Sequence, residues 1–278
     1  MQAGNFPQTL SPLLANARMY SVTASAKADW KELLAWVLAR ANLPWDLIDH
    51  DAPAPLSVLW ARDDLGLAMM CGLPFAQRLK RPILVAAPLP SLARYGGKPV
   101  YFTDIVVRAD APYRSLEDTF GGILGYTLVD SMSGGVVLRC HLAPYRATHG
   151  PRLYRQAVGG LVNARGVIEA LAAGRIDVGP LDSYCHDLLR ALDPAFAAQV
   201  RTLASTQALP IPPLVATAVL PAETLARLRQ ALLETAAAPE LAPVMHRLLL
   251  AGFAFPDPAS YLPLAAMANG PGPALEDL

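Results

Sequence analysis

The chain has 278 residues, 53% hydrophobic and 17% charged, with 26 prolines and 19 glycines. That composition can bury a large core and excludes a disordered or low-complexity protein, while the length allows one large domain or two ordinary ones. Lys+Arg and Asp+Glu balance at 23 each, so a net-neutral chain is a poor candidate for nucleic acid or an anionic membrane, and a charged ligand has to be held by local dipoles.

In chain order, a polar leader over Met1–Ala17 lacks the basic start and apolar run of a secretory signal, so the chain is expected to stay where it is made. Ala17–Val22 reads as a short strand. Trp30, Leu33, Leu34, Val37, Leu38 and Ala41 recur at helical spacing, and Asn42 with Pro44 ends that helix. Strands are expected at Leu47–Asp49, Leu67–Cys71 and Ile83–Ala87, then a Gly-rich turn at Tyr95–Lys98 and extended chain over Val100–Val107. Short, fully apolar runs between helices suit a parallel sheet covered on both faces.

The βα pattern restarts with a short helix at Ser115–Phe120, a strand at Gly125–Val129 and a helix over Val136–Leu142. Beyond the polar stretch Arg146–Arg155, Asn163 reads as an N-cap. Ala164, Val167, Ile168, Leu171 and Ala172 form the buried stripe of its helix, and Gly174 follows its end. Ile176–Leu181 reads as a strand, Ser183–Leu192 as a helix, and Val200–Ser205 and Val215–Leu220 as extended chain. Helices close the series at Ala222–Ala236, Leu241–Ala251 and Ser260–Met267. The stretch between Arg201 and Glu223 is uncharged, but Pro210, Pro212, Pro213 and Pro221 forbid a continuous membrane helix.

Two βα systems joined by crossings near Phe102–Val106 and Ala204–Pro213 imply a two-lobed α/β protein. Each lobe is a mostly parallel sheet flanked by helices, with two crossing strands at the hinge. Residues 1–104 and 206–278 make a discontinuous first lobe, and 105–205 an inserted second one. Parallel sheets take ligands at the carboxyl ends of their strands, which would face each other across a cleft.

The segments that could carry chemistry lie at those ends. Asp130-Ser131-Met132-Ser133-Gly134-Gly135 joins a strand to a helix. A helix start offers unpaired N–H groups, two serines add hydroxyls, and two glycines would let an oxyanion approach the backbone; an ordinary capped turn has the same spelling. Asp182-Ser183-Tyr184 repeats that context. The Asp182 carboxylate could hold an ammonium or hydroxyl, Ser183 and the helix start could donate to an anion, or the pair could simply cap the helix. Asn163 carries the same ambiguity, and Arg165 could add charge or be a solvated surface residue. Tyr20, Tyr101 and the loop Cys71-Gly72-Leu73-Pro74-Phe75 are candidate walls of the cleft, and Thr103 lies on the first crossing.

Three cysteines, Cys71, Cys140 and Cys185, without CxxC spacing argue against a disulfide framework or a structural zinc site; Cys71 and Cys140 read as small buried hydrophobes. No GxSxG, HExxH, P-loop or GxGxxG is present. His186, four residues after Asp182, could act as a general base but reads first as a partly exposed helix residue.

The chain resembles the phosphonate-type substrate-binding proteins of ABC importers, in the type 2 periplasmic binding protein superfamily. The resemblance runs from Arg18-Met19-Tyr20 to about Tyr261. Its marks are Cys71-Gly72-Leu73-Pro74, Tyr101-Phe102-Thr103-Asp104, Asp130-Ser131-Met132-Ser133-Gly134, the stretch Ala170–Gly179, and Leu181-Asp182-Ser183-Tyr184. It implies that Ser131, Ser133 and Gly134 grip an oxyanion, that Asp182 can hold a ligand amine and that Tyr20 supplies an aromatic wall. It also implies a periplasmic, monomeric binder with no catalytic residue and no cofactor, partnered by a small anionic ligand and an ABC permease.

Two departures stand out: Met132 replaces a small polar residue, and Asn163-Ala164 stands where Ser-His is common. The leader keeps a cytoplasmic location open. With it come two alternatives, an enzyme on the same fold resembling the lyases of menaquinone biosynthesis, and a ligand sensor.

Overall fold

The computed structural model describes residues 12–52, 54–270 and 273–278; residues 1–11 of the leader lie outside them. The chain begins with β1 (Leu14–Asn16), α1 (Ala24–Arg40), β2 (Asp46–Leu47), α2 (Leu56–Trp60), β3 (Leu65–Met69), α3 (Gly72–Gln77), β4 (Ile83–Pro90) and β5 (Val100–Tyr101). A middle section follows with β6 (Thr103–Arg108), β7 (Ile123–Gly125), α4 (Val137–Leu142), α5 (Arg146–His149), β8 (Gln156–Val158), α6 (Ala164–Ala172), β9 (Val178–Asp182), α7 (Ser183–Leu192), α8 (Pro194–Ala197) and β10 (Val200–Ser205). The chain returns through β11 (Leu209–Pro210), β12 (Leu214–Ala216), α9 (Ala222–Glu234), α10 (Ala242–Arg247), β13 (Leu250–Ala254) and α11 (Leu262–Asn269). Among the described residues, no helix is long and apolar enough to cross a membrane.

Two sheets result. The first has the order β13-β4-β12-β3-β1-β2 and draws on both flanks of the chain; the second, β10-β6-β9-β7-β8, is built from the middle. A small β11-β5 ribbon lies between them in the sequence. Within the first sheet β1 runs parallel to β2 and β3, and β12 lies antiparallel between β3 and β4. In the second, β7 runs parallel to β8 and β9, while β6 is antiparallel to both β9 and β10. The α/β two-lobed fold therefore holds, with mixed sheets. Most strands of each sheet share a direction; β6 and β12, which carry the chain out of and back into the first lobe, run against it, as does the edge strand β13.

Local sequence explains the scaffold. The hydroxyl of Thr23 accepts from Ala26 N at 3.0 Å and caps α1, whose Trp30, Leu33, Leu34, Val37 and Leu38 are buried. Every residue of β3 is buried, as a central strand covered on both faces requires. Along β6, Ile105 and Val107 enter one cluster of the second lobe and Val106 another, the alternation of a strand buried on both sides. The largest cluster fills the first lobe and continues across the boundary into Met132, Val136, Val137, Tyr184 and Leu188. The lobes therefore meet through apolar contact.

Several expected elements move. The first strand precedes Ala17–Val22, where the chain instead turns, with Tyr20 at a φ of 64°. The strand expected at Gly125–Val129 is β7, ending at Gly125, and the one at Val215–Leu220 is β12, ending at Ala216. The helix expected over Leu241–Ala251 stops at Arg247. Leu249 takes a left-handed φ of 52° and the chain continues as β13 on the edge of the first sheet. Ala172, assigned to the buried stripe of α6, is exposed; Val167, Ile168, Ala170 and Leu171 form that stripe.

Candidate functional site

The Ser131–Gly135 loop begins a helix with a π turn, Met132–Val136, that runs directly into α4. Val136 N donates to Ser131 O at 3.0 Å, five residues back, and the Ser131 hydroxyl accepts from Gly134 N at 3.2 Å. This wide turn leaves the N–H groups of Met132 and Ser133 without an intrahelical acceptor, the usual condition of a first turn and a frequent feature of binding sites. Thr103, buried on the first crossing, pins the loop by donating from Oγ1 to Ser133 O at 2.9 Å. Thr103 is itself held by Thr206 of the second crossing, whose Oγ1 accepts from Thr103 N at 3.0 Å. Among the described residues the Ser133 hydroxyl has no hydrogen-bond partner, and Ser133 keeps accessible surface.

The glycines of this loop are packed against protein on the side a Cβ would occupy. A Cβ on Gly134 would lie 1.8 Å from Thr127 Oγ1, and one on Gly135 would lie 2.4 Å from Leu128 O. Gly72 is likewise filled from outside, since its Cβ would sit 2.7 Å from Leu264 Cδ1. Gly134→Ala is accordingly expected to destabilise the fold by about 1–3 kcal/mol, the range for overpacking. A thermal melt that matches the wild type would contradict this packing.

On the other junction, Asp182 caps α7, with Oδ1 accepting from Tyr184 N at 2.9 Å and Cys185 N at 3.0 Å. That closes the helix start the sequence offered to an anion, so α7 contributes no open N–H groups there. Asp182 Oδ2 accepts from the Tyr20 hydroxyl at 3.4 Å, across the lobe boundary. The left-handed Tyr20 also packs edge-on against Tyr184 with ring centroids 4.7 Å apart. Ser183 and Tyr184 are committed to protein partners. The Ser183 hydroxyl accepts from Phe102 N at 3.1 Å, and the Tyr184 hydroxyl donates to Leu248 O at 2.5 Å.

Burial dominates the electrostatics. It pushes the Asp182 carboxyl up to about 7, against the hydrogen bonds from Cys185 N, Tyr184 N and Tyr20 that favour its charge. It pushes the Cys71 thiol up to about 12, with the charges of Asp182 and Asp130 adding to the effect. Tyr20, Tyr101 and Cys185 are all raised by burial and then by Asp182, so these groups share one neighbourhood. Cys71, Asp182 and Cys185 are surrounded by protein yet retain partial accessible surface. The Ser131–Gly134 turn packs beside β9, which ends at Asp182, so the turn borders the same region.

Other candidates lie elsewhere. Asn163 is exposed, its side chain accepting from Gly166 N at 3.1 Å as a plain helix cap. Arg165 is not free: it pairs with Asp193 at 2.5 Å and donates from Nε to Val22 O at 3.0 Å, linking the lobes at their rim.

His186 is fully buried rather than partly exposed, with Nδ1 2.9 Å from Asp104 Oδ2. Arg94 Nη2 reaches Asp104 Oδ1 at 2.6 Å and its Nη1 reaches Asp187 Oδ1 at 3.0 Å. Ser205 and Tyr95 complete the cluster with bonds of 2.7 Å to Asp104 and 2.6 Å to Asp187. This ionic knot at the crossings was missed in the sequence. The available signal was Asp104 inside the apolar run Phe102–Val107, since a carboxylate buried in a strand needs partners.

A family profile described as ABC transporter, phosphonate, periplasmic substrate-binding protein matches residues 22–261. The chain belongs to this family. No curated protein sequence matches it. Among solved structures, this phosphonate-binding family member is similar to a binding protein component of an ABC phosphonate transporter from Pseudomonas aeruginosa. That match has 18% identity over 92% of this chain and 85% of the other, with a TM-score of 0.75. PhnD1 from Prochlorococcus marinus, in complex with methylphosphonate, matches at 12% identity over 92% of this chain and 97% of its own, also with a TM-score of 0.75. XAC2383 from Xanthomonas citri, bound to chloride ion, matches at 22% identity over 94% and 98%, with a TM-score of 0.65. At these identities the likeness is one of fold.

Proposed function

We propose that the chain binds a small phosphonate-type oxyanion between its lobes and delivers it to an ABC permease. In this reading it works in the periplasm, as a monomer. The lobes are residues 1–104 with 206–278, the last four of which pack on the other lobe, and residues 105–205. The observation that carries the reading is the π turn at Ser131–Val136. Its unpaired N–H groups and the uncommitted Ser133 hydroxyl lie at the lobe boundary, beside the strand that ends at Asp182.

The ligand's oxygens take the Met132 and Ser133 N–H groups and the Ser133 hydroxyl as donors. Tyr20, Tyr101 and Cys71 enclose its organic part from the first lobe. No Lys or Arg was found among these residues, so helix dipole and hydrogen bonds carry the anion. Asp182 suits an ammonium on the same ligand when ionised, and tolerates a simple anion when protonated. Closure is favoured because the ligand touches both lobes only in the closed form. No bond is made or broken.

Methylphosphonate, inorganic phosphate and acetate, each titrated against thermal unfolding, test the reading. A ligand at 100 times its Kd raises stability by about 2.7 kcal/mol. Methylphosphonate is expected to raise the Tm most, and Ser133→Ala to remove most of that rise while leaving the unliganded Tm near wild type. An equal rise in Ser133→Ala, or none with any phosphorus oxyanion, would sink it.

A further inference from the structure

The chain crosses between the lobes a third time, apart from the two crossings at the hinge. α11 lies in the first lobe against α3, with Leu264 buried beside Gly72. Its end is grasped by the second lobe. Arg139 of α4 donates from Nη2 to Met267 O and Ala268 O, both at 3.1 Å, and from Nη1 to Gly270 O at 3.4 Å. The end of the chain, from Leu275 to Leu278, packs on the second lobe. Leu275 and Leu278, 4% and 1% exposed, enter its core beside Ile105, Leu124 and Tyr154. Tyr154 N donates to Leu278 O at 2.9 Å, Leu153 N donates to the same oxygen, and the Tyr126 hydroxyl donates to Glu276 Oε1.

A hinge of two adjacent crossings lets two lobes rotate apart. A third connection, anchored in the first lobe by α11 and in the second by two buried leucines, opposes that rotation. We propose that the segment carrying Leu275, Glu276 and Leu278 is a strap that keeps the lobes closed in the ligand-free protein, so that opening requires its release. The strap borders the Ser131–Gly135 turn, since Asp130, Gly135, Arg139, Gly270 and Glu276 line one groove. Releasing it therefore frees the edge of the proposed site. Ligand exchange in the wild type is slow in consequence, because the binding-competent open state is thinly populated.

The proposal concerns the ligand-free protein and stands or falls independently of what the ligand is. Its test uses two variants of the full chain. One carries a Gly-Ser-Gly-Ser-Gly-Ser insertion between Gly272 and Pro273, which keeps both anchors and slackens the strap at little entropic cost. The other, Leu275→Ser with Leu278→Ser, undocks it.

Small-angle scattering without ligand is expected to give a radius of gyration of about 19 Å for the wild type, that of a compact chain of this length, and a larger value for both variants. Hydrogen exchange of the Met132–Val137 amides is expected to be on the order of tenfold faster in both. Unchanged radius and exchange in the insertion variant, with cooperative melting showing that it is folded, would overturn the proposal. So would a wild type already as expanded as the variants. If the double serine variant fails to fold, the insertion variant decides alone.

Discussion

Replacing Arg94 by Met is expected to cost about 3 kcal/mol at neutral pH, the lower end of what breaking a buried ion pair costs. Asp104 is fully buried, and among the described residues Arg94 is its only arginine partner; the same guanidinium holds Asp187. Removing it leaves two buried carboxylates with fewer donors, although His186 and Ser205 still serve Asp104, and Tyr95 and Arg190 still serve Asp187. That residual support, and the partial exposure of Arg94, keep the loss below the maximum. In a chain of this size it corresponds to a fall in Tm on the order of 5–10 °C.

The pH dependence gives a sharper check. Burial alone would raise the Asp104 carboxyl, but hydrogen bonds from His186, Arg94 and Ser205 outweigh it and hold the group at about 2 instead of 3.8. A depressed acid stabilises the fold above its unfolded value, and that contribution disappears as pH falls from 3.8 through about 2. The gap between wild type and Arg94→Met in denaturant melts should therefore be wide at pH 7 and narrow towards pH 2. A gap of constant width would mean that Arg94 acts through its packing on Phe102, over whose ring it lies at 4.3 Å, and not through charge.

The elements most legible in the sequence are those whose signals are local. α7 runs from Ser183 to Leu192 as read, because Asp182 is a good cap and the following residues alternate at helical spacing. β10 matches over Val200–Ser205 for the same kind of reason. β13 was unreadable, because a leucine at position 249 carries no sign that its backbone will turn left-handed and end the helix. His186 was misjudged because its partner, Asp104, is 82 residues away, and burial of an imidazole follows from such a contact, not from its neighbours in sequence.

The site shows the limit of such reading. Ser131 and Asp182 were recognised at strand-to-helix junctions, but capping and ligand binding use the same atoms. Only three-dimensional geometry shows that Asp182 Oδ1 is spent on its own helix while the Ser133 hydroxyl is not. The two thiols, Cys71 and Cys185, lie 114 positions apart, and nothing local to either announces that they flank Asp182 together.

Asp182→Asn is expected to stabilise the protein at alkaline pH and to change it little in acid. Asn keeps the Oδ1 acceptor for Tyr184 N and Cys185 N, so the cap survives, and it removes an acid that burial holds up at about 7. The sign follows from proton counting. Between the ordinary value of 3.8 and about 7 the native state retains a proton that the unfolded chain has released, so stability falls as pH rises through that window. Above it both states are ionised and the full penalty of a charged carboxylate in an apolar surround remains.

The Tm of Asp182→Asn should therefore exceed that of the wild type at pH 8 and converge with it near pH 4; parallel curves would show that Asp182 is well solvated in the folded state. The same ionisation sets the charge of the proposed site. Methylphosphonate affinity should weaken in the wild type as pH rises through 7, because the anion then faces a carboxylate that no cation among the described residues pairs. An aminoalkylphosphonate should lose less, its ammonium being paired. Asp182→Asn should remove that difference between the two ligands, and a difference that persists in the variant would place the ammonium somewhere other than Asp182.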